Sequence, residues 1–357
     1  MNHRPRALLP RSGLAQGGRN VAALMASLSL AALCLVNQVS AATAQSATPT
    51  TPAEATRLTV GLGYIPSVQF AQFYLAEEAG YYDEVGLDVT FQNKVDPELI
   101  TLLGQGSVDV GMADGTSLIP AVSQGIPVVY GATIYGRFPN VILTSADSGI
   151  EVPADLEGRS IGVPGRFGSS WIMLQALLAS ASLTTDDVDV RTYPRFGQAI
   201  AVAEGQVDAA TGFVNNEPVQ LAREGVAVNV LSVDDVAPLP GPGLVVGRDT
   251  LEAKGDALRA FTAATLRAMA DIAADPELGL DATFTRVPEL AADPDTQLAI
   301  LEATIDAWTG GRAEPEGFGA IDRDAWQMAV DIMTALPESV VAAPVTVDPL
   351  VTDELLP

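Results

Sequence analysis

The segment 58–92 reads LTVGLGYIPSVQFAQFYLAEEAGYYDEVGLDVTFQ and decides the fold class of this chain. Its pattern predicts a strand over 58–63, a polar and aromatic loop, a helix over 68–79 and a second strand over 87–92. The loop 64–70 begins where the first strand ends. Because open α/β sheets bind small molecules at the carboxyl ends of their strands, this loop is predicted to form the lip of a pocket.

The alternation of strands and helices continues along the chain. Further strands are predicted over 108–112, 128–133, 141–144, 188–193, 228–231 and 244–246, with another ending in the Gly turn of 156–165. Helices are predicted over 97–105, 116–124, 169–180, 257–274, 295–308 and 322–335, and the tail 343–357 is predicted to be extended. This order is typical of an α/β protein with parallel sheets and helices on both faces, here followed by a helical C-terminal part.

An internal repeat indicates two related lobes, with chance similarity as the alternative. The sequences GSVDVG at 106–111 and GQVDAA at 205–210 each follow a predicted helix and lead through a strand and a second helix to a Gly. We predict the first part of lobe 1 over 57–143, lobe 2 over 144–243, and a return to lobe 1 with C-terminal helices over 244–357.

Residues 1–44 have the composition of a signal peptide. Four Arg residues precede the apolar run 21–36, and small residues ending at Ala41 and Ala44 offer cleavage sites. One alternative is a single membrane anchor, although the run is shorter than the roughly 20 apolar residues that span a bilayer. A lipid anchor on Cys34 is another. Residues 45–56 are predicted to be a flexible linker, and the chain is predicted to be exported to a periplasmic or other extracytoplasmic compartment.

Cleavage at either site would remove His3 and Cys34, which are the only His and the only Cys of the chain. The mature protein could then form no disulfide, no Ser-His-Asp triad, no Cys nucleophile and no His/Cys zinc site. Composition alone still allows a carboxylate metal site or a glycosidase. The acidic pairs at 186–187 and 234–235 are interpreted as solvated surface. We predict no catalytic residue, no metal site and no cofactor.

The charge balance excludes two classes of partner. The chain has 19 basic and 44 acidic residues, a formal net charge of −25, and loss of the four N-terminal Arg residues would make the net charge −29. Such a surface repels nucleic acid and anionic membranes. Neither is predicted to be a partner.

Four loops that follow predicted strands contain residues suited to binding a ligand. The candidate binding residues are Tyr64, Gln69, Asp114, Thr116, Phe167, Ser169, Ser170, Trp171, Asn215, Asn216 and Glu217. Rings could stack on a flat ligand, helix N-termini could receive acceptor atoms, and the two amides and the carboxylate at 215–217 could together recognise the donors and acceptors of a heterocycle. The alternative interpretation is helix capping for the polar residues and core packing for the aromatic ones.

Six short motifs occur in an order and spacing that resemble a known family: GYIPSVQFA at 63–71, GYY at 80–82, GLDV at 86–89, GVPG at 162–165, GSS at 168–170 and NNEP at 215–218. Over about 57–308 the chain resembles the substrate-binding proteins of ABC importers, in the branch that binds nitrate, sulfonates and thiamine pyrimidines. The resemblance implies a type 2 periplasmic-binding fold, with two α/β lobes, two crossing strands and a ligand cleft between the lobes. It also implies two kinds of partner, a small-molecule ligand and the permease subunits of an ABC importer at the membrane.

Within that branch, the loop 64–70 and the NNEP motif are most similar to binders of vitamin heterocycles, including riboflavin and the pyrimidine precursors of thiamine. The resemblance implies that aromatic rings stack on the heterocycle while Glu217 accepts hydrogen bonds from its N–H groups. A Trp that is usual near Tyr64 in the thiamine-pyrimidine binders is missing here. This departure favours a flavin as the ligand.

Two alternatives stay open from the sequence. An alkanesulfonate or nitrate ligand on the same fold would need cations, for which Arg137 and Arg166 are the loop candidates. The other is a carboxylate-dependent enzyme. The family also includes a fungal pyrimidine synthase that consumes its own His and binds pyridoxal phosphate through Lys, and loss of His3 would remove that activity. We predict a binding protein that works by lobe closure and is not an enzyme.

Overall fold

The computed structural model describes residues 55–95, 98–310 and 317–357. The predicted signal peptide at 1–44 and residues 45–54 of the predicted linker lie outside the described residues. Within the described ranges, no helix is long and apolar enough to cross a membrane, and no group of three or more His, Cys, Asp and Glu side chains could hold a metal ion.

Strands and helices alternate through the described part of the chain, as the sequence pattern predicts. The strands are β1 (Thr56–Leu62), β2 (Leu87–Asn93), β3 (Val110–Asp114), β4 (Val128–Thr133), β5 (Asn140–Ser145), β6 (Ser160–Val163), β7 (Asp189–Thr192), β8 (Ala209–Phe213), β9 (Val228–Ser232) and β10 (Pro242–Gly247). The helices are α1 (Ala71–Glu78), α2 (Tyr81–Glu84), α3 (Glu98–Gly104), α4 (Gly115–Ser123), α5 (Gly168–Ser180), α6 (Gln198–Ala203), α7 (Glu217–Arg223), α8 (Arg248–Ala274), α9 (Pro276–Arg286), α10 (Pro294–Thr309) and α11 (Arg323–Ala335).

Two five-stranded sheets form the centres of two lobes. The first has the strand order β2-β1-β3-β10-β4 and the second the order β7-β6-β8-β5-β9. Strand β1 is parallel to β2 and β3, and β6 is parallel to β7 and β8. The predicted two-lobed α/β fold is therefore confirmed.

The expectation of parallel sheets needs a correction. Strand β10 runs antiparallel to β3 and β4, and β5 runs antiparallel to β8 and β9. Each of these strands follows a segment of the opposite lobe, so it enters its sheet against the direction of the βαβ units. The predicted lobe boundary after residue 143 falls inside β5, which belongs to the sheet of the second lobe.

The internal repeat has the same hydrogen bonds in both lobes. In the first lobe, the Asp109 carboxylate accepts from the Thr59 N–H at 2.8 Å, and the Asp109 N–H donates to the Thr59 carbonyl at 2.9 Å. In the second, Asp208 makes the equivalent pair with Ser160, at 2.8 and 3.0 Å. The Gly that begins each repeat has a φ of +67°, which a residue with a side chain rarely adopts. The two repeat sequences thus form the same pair of Asp–strand hydrogen bonds, called the joint of each lobe, once in lobe 1 and once in lobe 2.

The C-terminal helices complete the first lobe and connect it with the second. Helices α1, α8, α9 and α10 share one apolar core with the first sheet, in which the Phe261 ring stacks on Tyr82 at 5.0 Å. Helix α11, capped by Asp322, whose carboxylate accepts from the Ala325 N–H at 2.9 Å, belongs to a core that contains residues of both lobes. The tail then pairs with edge strand β4, because Tyr130 exchanges backbone hydrogen bonds of 2.9 Å with Leu350 and Thr352.

Candidate binding site between the lobes

A cavity lies where the carboxyl ends of the parallel strands in both lobes face each other. It contains about 930 Å³ of space free of protein atoms, with its open mouth included. Six aromatic side chains line it: Tyr64, Phe70, Tyr135, Phe167, Phe196 and Phe213. Ligand sites are typically apolar and aromatic clefts with a few polar groups that fix orientation, and this cavity has that character.

Eight of the eleven predicted binding residues lie in the wall of this cavity: Tyr64, Gln69, Asp114, Phe167, Ser169, Ser170, Asn216 and Glu217. The structure does not bring the other three to it. Thr116 is fully buried within α4, and Trp171 packs in the core that contains residues of both lobes, with the Arg166 guanidinium 5.0 Å from its ring centroid. Asn215 is fully buried beside the wall, where it joins the two lobes.

Glu217 begins α7 directly after the loop that follows β8. Its Oε2 atom accepts a hydrogen bond from the Phe213 N–H at 2.7 Å, which aims the carboxyl group at the cavity wall. Although the group borders the open cavity, protein surrounds it, and this burial raises the pKa of Glu217 above its usual range. Position 212 leaves no room for a side chain beside this carboxyl group, because a Cβ on Gly212 would lie 3.2 Å from Glu217 Oε2 and 2.6 Å from the Leu143 side chain.

Tyr64 joins the first lobe to the second across the cavity. Its hydroxyl oxygen interacts with the side chain of Asn216, whose Oδ1 atom accepts from Gln220 at 2.7 Å. Its ring meets the edge of the Phe196 ring, with centroids 4.9 Å apart and planes at 77°. Burial, assisted by the nearby charge of Glu217, raises the pKa of Tyr64, so the phenol stays neutral and can donate a hydrogen bond.

Asp114 makes a second polar contact between the lobes. Its carboxylate, at the end of β3, interacts with the hydroxyl of Ser169 in the first turn of α5. Asn140, at the start of crossing strand β5, donates to the hydroxyls of Ser169 and Ser170 at 3.3 and 3.4 Å. Burial raises the pKa of Asp114 to about 6, and the hydrogen bond from Ser169 opposes that rise.

Asn215 forms a further buried polar contact between the lobes. Its Nδ2 atom, just beyond β8, lies 3.0 Å from Gln69 Oε1 and 2.8 Å from Thr304 Oγ1 of α10, both in the first lobe. The Tyr135 hydroxyl lies 3.3 Å away. Gln69 is therefore occupied on both sides, because its Nε2 atom also donates to Ser67 at 3.1 Å.

Sequence reasoning missed several residues of the cavity wall. Phe196 and Gln198 come from the loop after β7 and the start of α6, and Phe196 has a φ of +58°, which is rare for a residue with a side chain. The signal was available, since this loop also follows a predicted strand at its carboxyl end. Phe70 lines the cavity and also packs in the core of the first lobe, where its ring centroid lies 6.4 Å from that of Phe73.

The cations considered for an anionic ligand lie elsewhere. Arg166 covers Trp171, and Arg137 packs against Gly310, where an added Cβ would be 2.3 Å from its Nε atom. Both are exposed. Among the residues that the structure describes, no Lys or Arg lines the cavity.

The two lobes, their crossing strands and the cavity between them define the fold of periplasmic binding proteins. The structure is similar to that of the periplasmic aliphatic sulphonate binding protein SsuA from Escherichia coli, with a TM-score of 0.64 and 18% sequence identity, over 80% of this chain and 96% of that one. The fold and the relatives below together place the chain among solute-binding proteins.

The chain belongs to the NMT1/THI5-like family, whose model matches residues 67–278. It is 33% identical to the riboflavin-binding protein RibY of Chloroflexus aurantiacus, over 87% of this chain and 92% of that protein. It is 27% identical to the formylaminopyrimidine-binding protein of Halalkalibacterium halodurans, over 77% of this chain and 84% of that one. Both relatives are named for binding a nitrogen heterocycle.

The family also contains enzymes. The 4-amino-5-hydroxymethyl-2-methylpyrimidine phosphate synthase of Schizosaccharomyces pombe is 31% identical to this chain, but over only 57% of it and 62% of the synthase. The two binding proteins match over a larger share of both chains. His3 and Cys34, the only such residues of this chain, both precede the described part.

Proposed function

We propose that this chain is the exported solute-binding component of an ABC importer and captures a small planar heterocycle, riboflavin, by closing its two lobes on it. The observation that carries the proposal is the cavity between the lobes, whose wall combines aromatic rings of both lobes with the Glu217 carboxyl and the Tyr64 hydroxyl. A flat ring can lie between the aromatic side chains, and Glu217 can accept from its N–H group. The name of the RibY relative supports the choice of riboflavin.

Lobe closure supplies the mechanism. The contacts of Tyr64, Asp114 and Gln69 with second-lobe residues all cross the cleft, so they form only when the lobes approach. A ligand that touches both walls shifts the equilibrium toward this closed form. The closed form is then the state that the permease recognises, and no covalent chemistry is required of the protein.

A pyrimidine precursor of thiamine is the second candidate, supported by the formylaminopyrimidine-binding relative. Such a ligand uses the same rings and the same carboxyl group. An alkanesulfonate or nitrate is disfavoured, because Glu217 and Asp114 face the cavity while Arg137 and Arg166 do not line it.

The absorbance spectrum of the freshly purified protein tests this proposal directly. A yellow protein with flavin bands, or quenching of riboflavin fluorescence on titration with one site per chain, is the expected result. A colourless protein that binds a thiamine pyrimidine in calorimetry selects the second candidate. Binding of an alkanesulfonate but of neither heterocycle would overturn the proposal, and formation of a new product from a bound heterocycle would make the protein an enzyme.

A further inference from the structure

The N-terminus of helix α5 is the part of the cavity wall best suited to an anion, and a protein carboxylate already lies against it. Gly168, Ser169 and Ser170 form the first turn of this 13-residue helix and line the cavity. The N–H groups of such a turn and the helix dipole favour negative charge. The contact of Asp114 with Ser169 shows that the first lobe brings its own anion to this place.

We propose that the closed cavity takes its ligand only without a phosphate group, and that Asp114 is the residue that sets this selectivity. The inference rests on the proposed function. A phosphate on the ligand would have to share the α5 N-terminus with the Asp114 carboxylate, and it would meet a second carboxyl group at Glu217. Burying two like charges without a cation is costly, and the described part of the wall contributes no Lys or Arg.

The amide side chains in the wall do not offset this repulsion. Gln69 is occupied by Ser67 and Asn215, and Asn216 by Gln220 and Tyr64. Gln198 is almost fully buried, and its Nε2 atom donates to the Thr211 carbonyl at 3.1 Å, which leaves an acceptor oxygen without a partner within the described residues. The wall therefore suits ligand hydroxyl and N–H donors better than a phosphate.

A consequence follows for the supply of the ligand. A phosphate monoester of the heterocycle would have to be hydrolysed to its free alcohol and inorganic phosphate, a reaction of the phosphatase class, before this protein could capture it.

Binding of riboflavin and of riboflavin 5′-phosphate to the full chain, measured by fluorescence quenching under the same conditions, tests the inference. We expect the phosphate form to bind roughly 100-fold more weakly. In Asp114→Asn the gap, meaning the ratio of the affinities for riboflavin and its 5′-phosphate, should shrink to about tenfold or less, because the α5 N-terminus becomes available to the phosphate. Asp348→Asn removes an equal charge from a side chain that is 97% exposed and should keep the wild-type gap.

Each result supports or overturns the inference. Equal affinity of the wild-type protein for both forms overturns it while leaving riboflavin capture intact. An unchanged gap in Asp114→Asn overturns the role of Asp114. Failure to bind either form, or the corresponding hydroxymethylpyrimidine and its phosphate, refutes the proposed function, and the inference falls with it. If Asp114→Asn does not fold, Asp114→Ser removes the same carboxylate with a smaller side chain and should also bring the two affinities closer together.

Discussion

At the scale of single residues, the surroundings of a carboxyl group raise or lower its pKa and so determine what the group can bind. Glu217 and Asp114 border the cavity and have raised pKa values because protein surrounds them. Asp208, outside the cavity, has a lowered pKa because the Ser160 hydroxyl and N–H donate to it. Buried carboxyl groups beside a cavity favour N–H donors from a ligand, whereas hydrogen-bonded surface ones stabilise the backbone.

Glu217→Gln should weaken riboflavin binding by about 10- to 100-fold. A charge-assisted hydrogen bond contributes about 1.5–3 kcal/mol, and glutamine keeps the shape of the side chain while removing its charge. Titration of riboflavin fluorescence measures the change, with Glu302→Gln on the exposed face of α10 as the matched control. An affinity unchanged from wild type would remove Glu217 from the set of ligand contacts.

Asp114→Asn should also raise the melting temperature of the ligand-free protein at about pH 7.5. Burial raises the pKa of Asp114 from 3.8 to about 6, so between these values the folded protein binds more protons than the unfolded chain. The contribution of this group to stability therefore falls as pH rises through this window.

Thermal unfolding monitored by circular dichroism at a series of pH values checks this expectation. The advantage of Asp114→Asn over wild type should shrink as the pH is lowered toward about 4, where both side chains are neutral. Asp348→Asn should show no such trend. If the difference in melting temperature between Asp114→Asn and wild type is the same at every pH, folding does not shift the pKa of Asp114.

At the scale of the elements, much of the architecture could be predicted because its signals are local. Strand β4 has the predicted bounds, and the repeated Gly and Asp of the two joints mark equivalent turns in both lobes. The direction of β5 and β10 could not be read in the same way, since it depends on which sheet each strand joins. The role of Asn215 as a contact between the lobes could not be predicted from the sequence either, because its partners Gln69 and Thr304 are 146 and 89 residues away.

The hydrogen bonds of Asp208 in the repeated joint are expected to stabilise the second lobe. Asp208→Ala should lower the free energy of unfolding by about 1 kcal/mol near neutral pH, because the Ser160 N–H and hydroxyl lose a charged acceptor. The lowered pKa of Asp208 means that its contribution is present above pH 3.8 and is lost as the pH falls below that value. The mutant and wild type should therefore converge in acid.

Urea unfolding at neutral and acidic pH measures both effects, and Asp186→Ala provides a control at an exposed acidic residue of the same lobe. Asp109→Ala, at the equivalent joint of the first lobe, should be at least as damaging, because Asp109 is less exposed and also pairs with Lys254 at 2.8 Å. If Asp208→Ala is as stable as wild type, the joint is not a stabilising element of the lobe.

At the scale of the whole molecule, binding and lobe closure draw on the same set of contacts. The cavity wall combines residues of both lobes, and the interlobe contacts of Tyr64, Asp114 and Asn215 surround it. Affinity for the ligand therefore depends on how much of the free protein is already closed, since the apparent Kd rises as the competent fraction falls. A residue that never touches the ligand can change affinity in this way.

Asn215 allows that dependence to be measured. Asn215→Ala removes the donor shared by Gln69 and Thr304 while leaving the cavity wall in place, so the open form should become more populated. Riboflavin affinity should drop by about tenfold, and the radius of gyration of the free protein in X-ray scattering should increase. Asn229→Ala, which removes a 3.4 Å hydrogen bond within the second lobe, is the control and should change neither quantity.

Saturating riboflavin should return Asn215→Ala to the wild-type radius of gyration, because ligand binding supplies the free energy that the missing contact no longer contributes. If the radius of gyration stays at the wild-type value while affinity drops, Asn215 acts on the site itself and the coupling to closure is wrong.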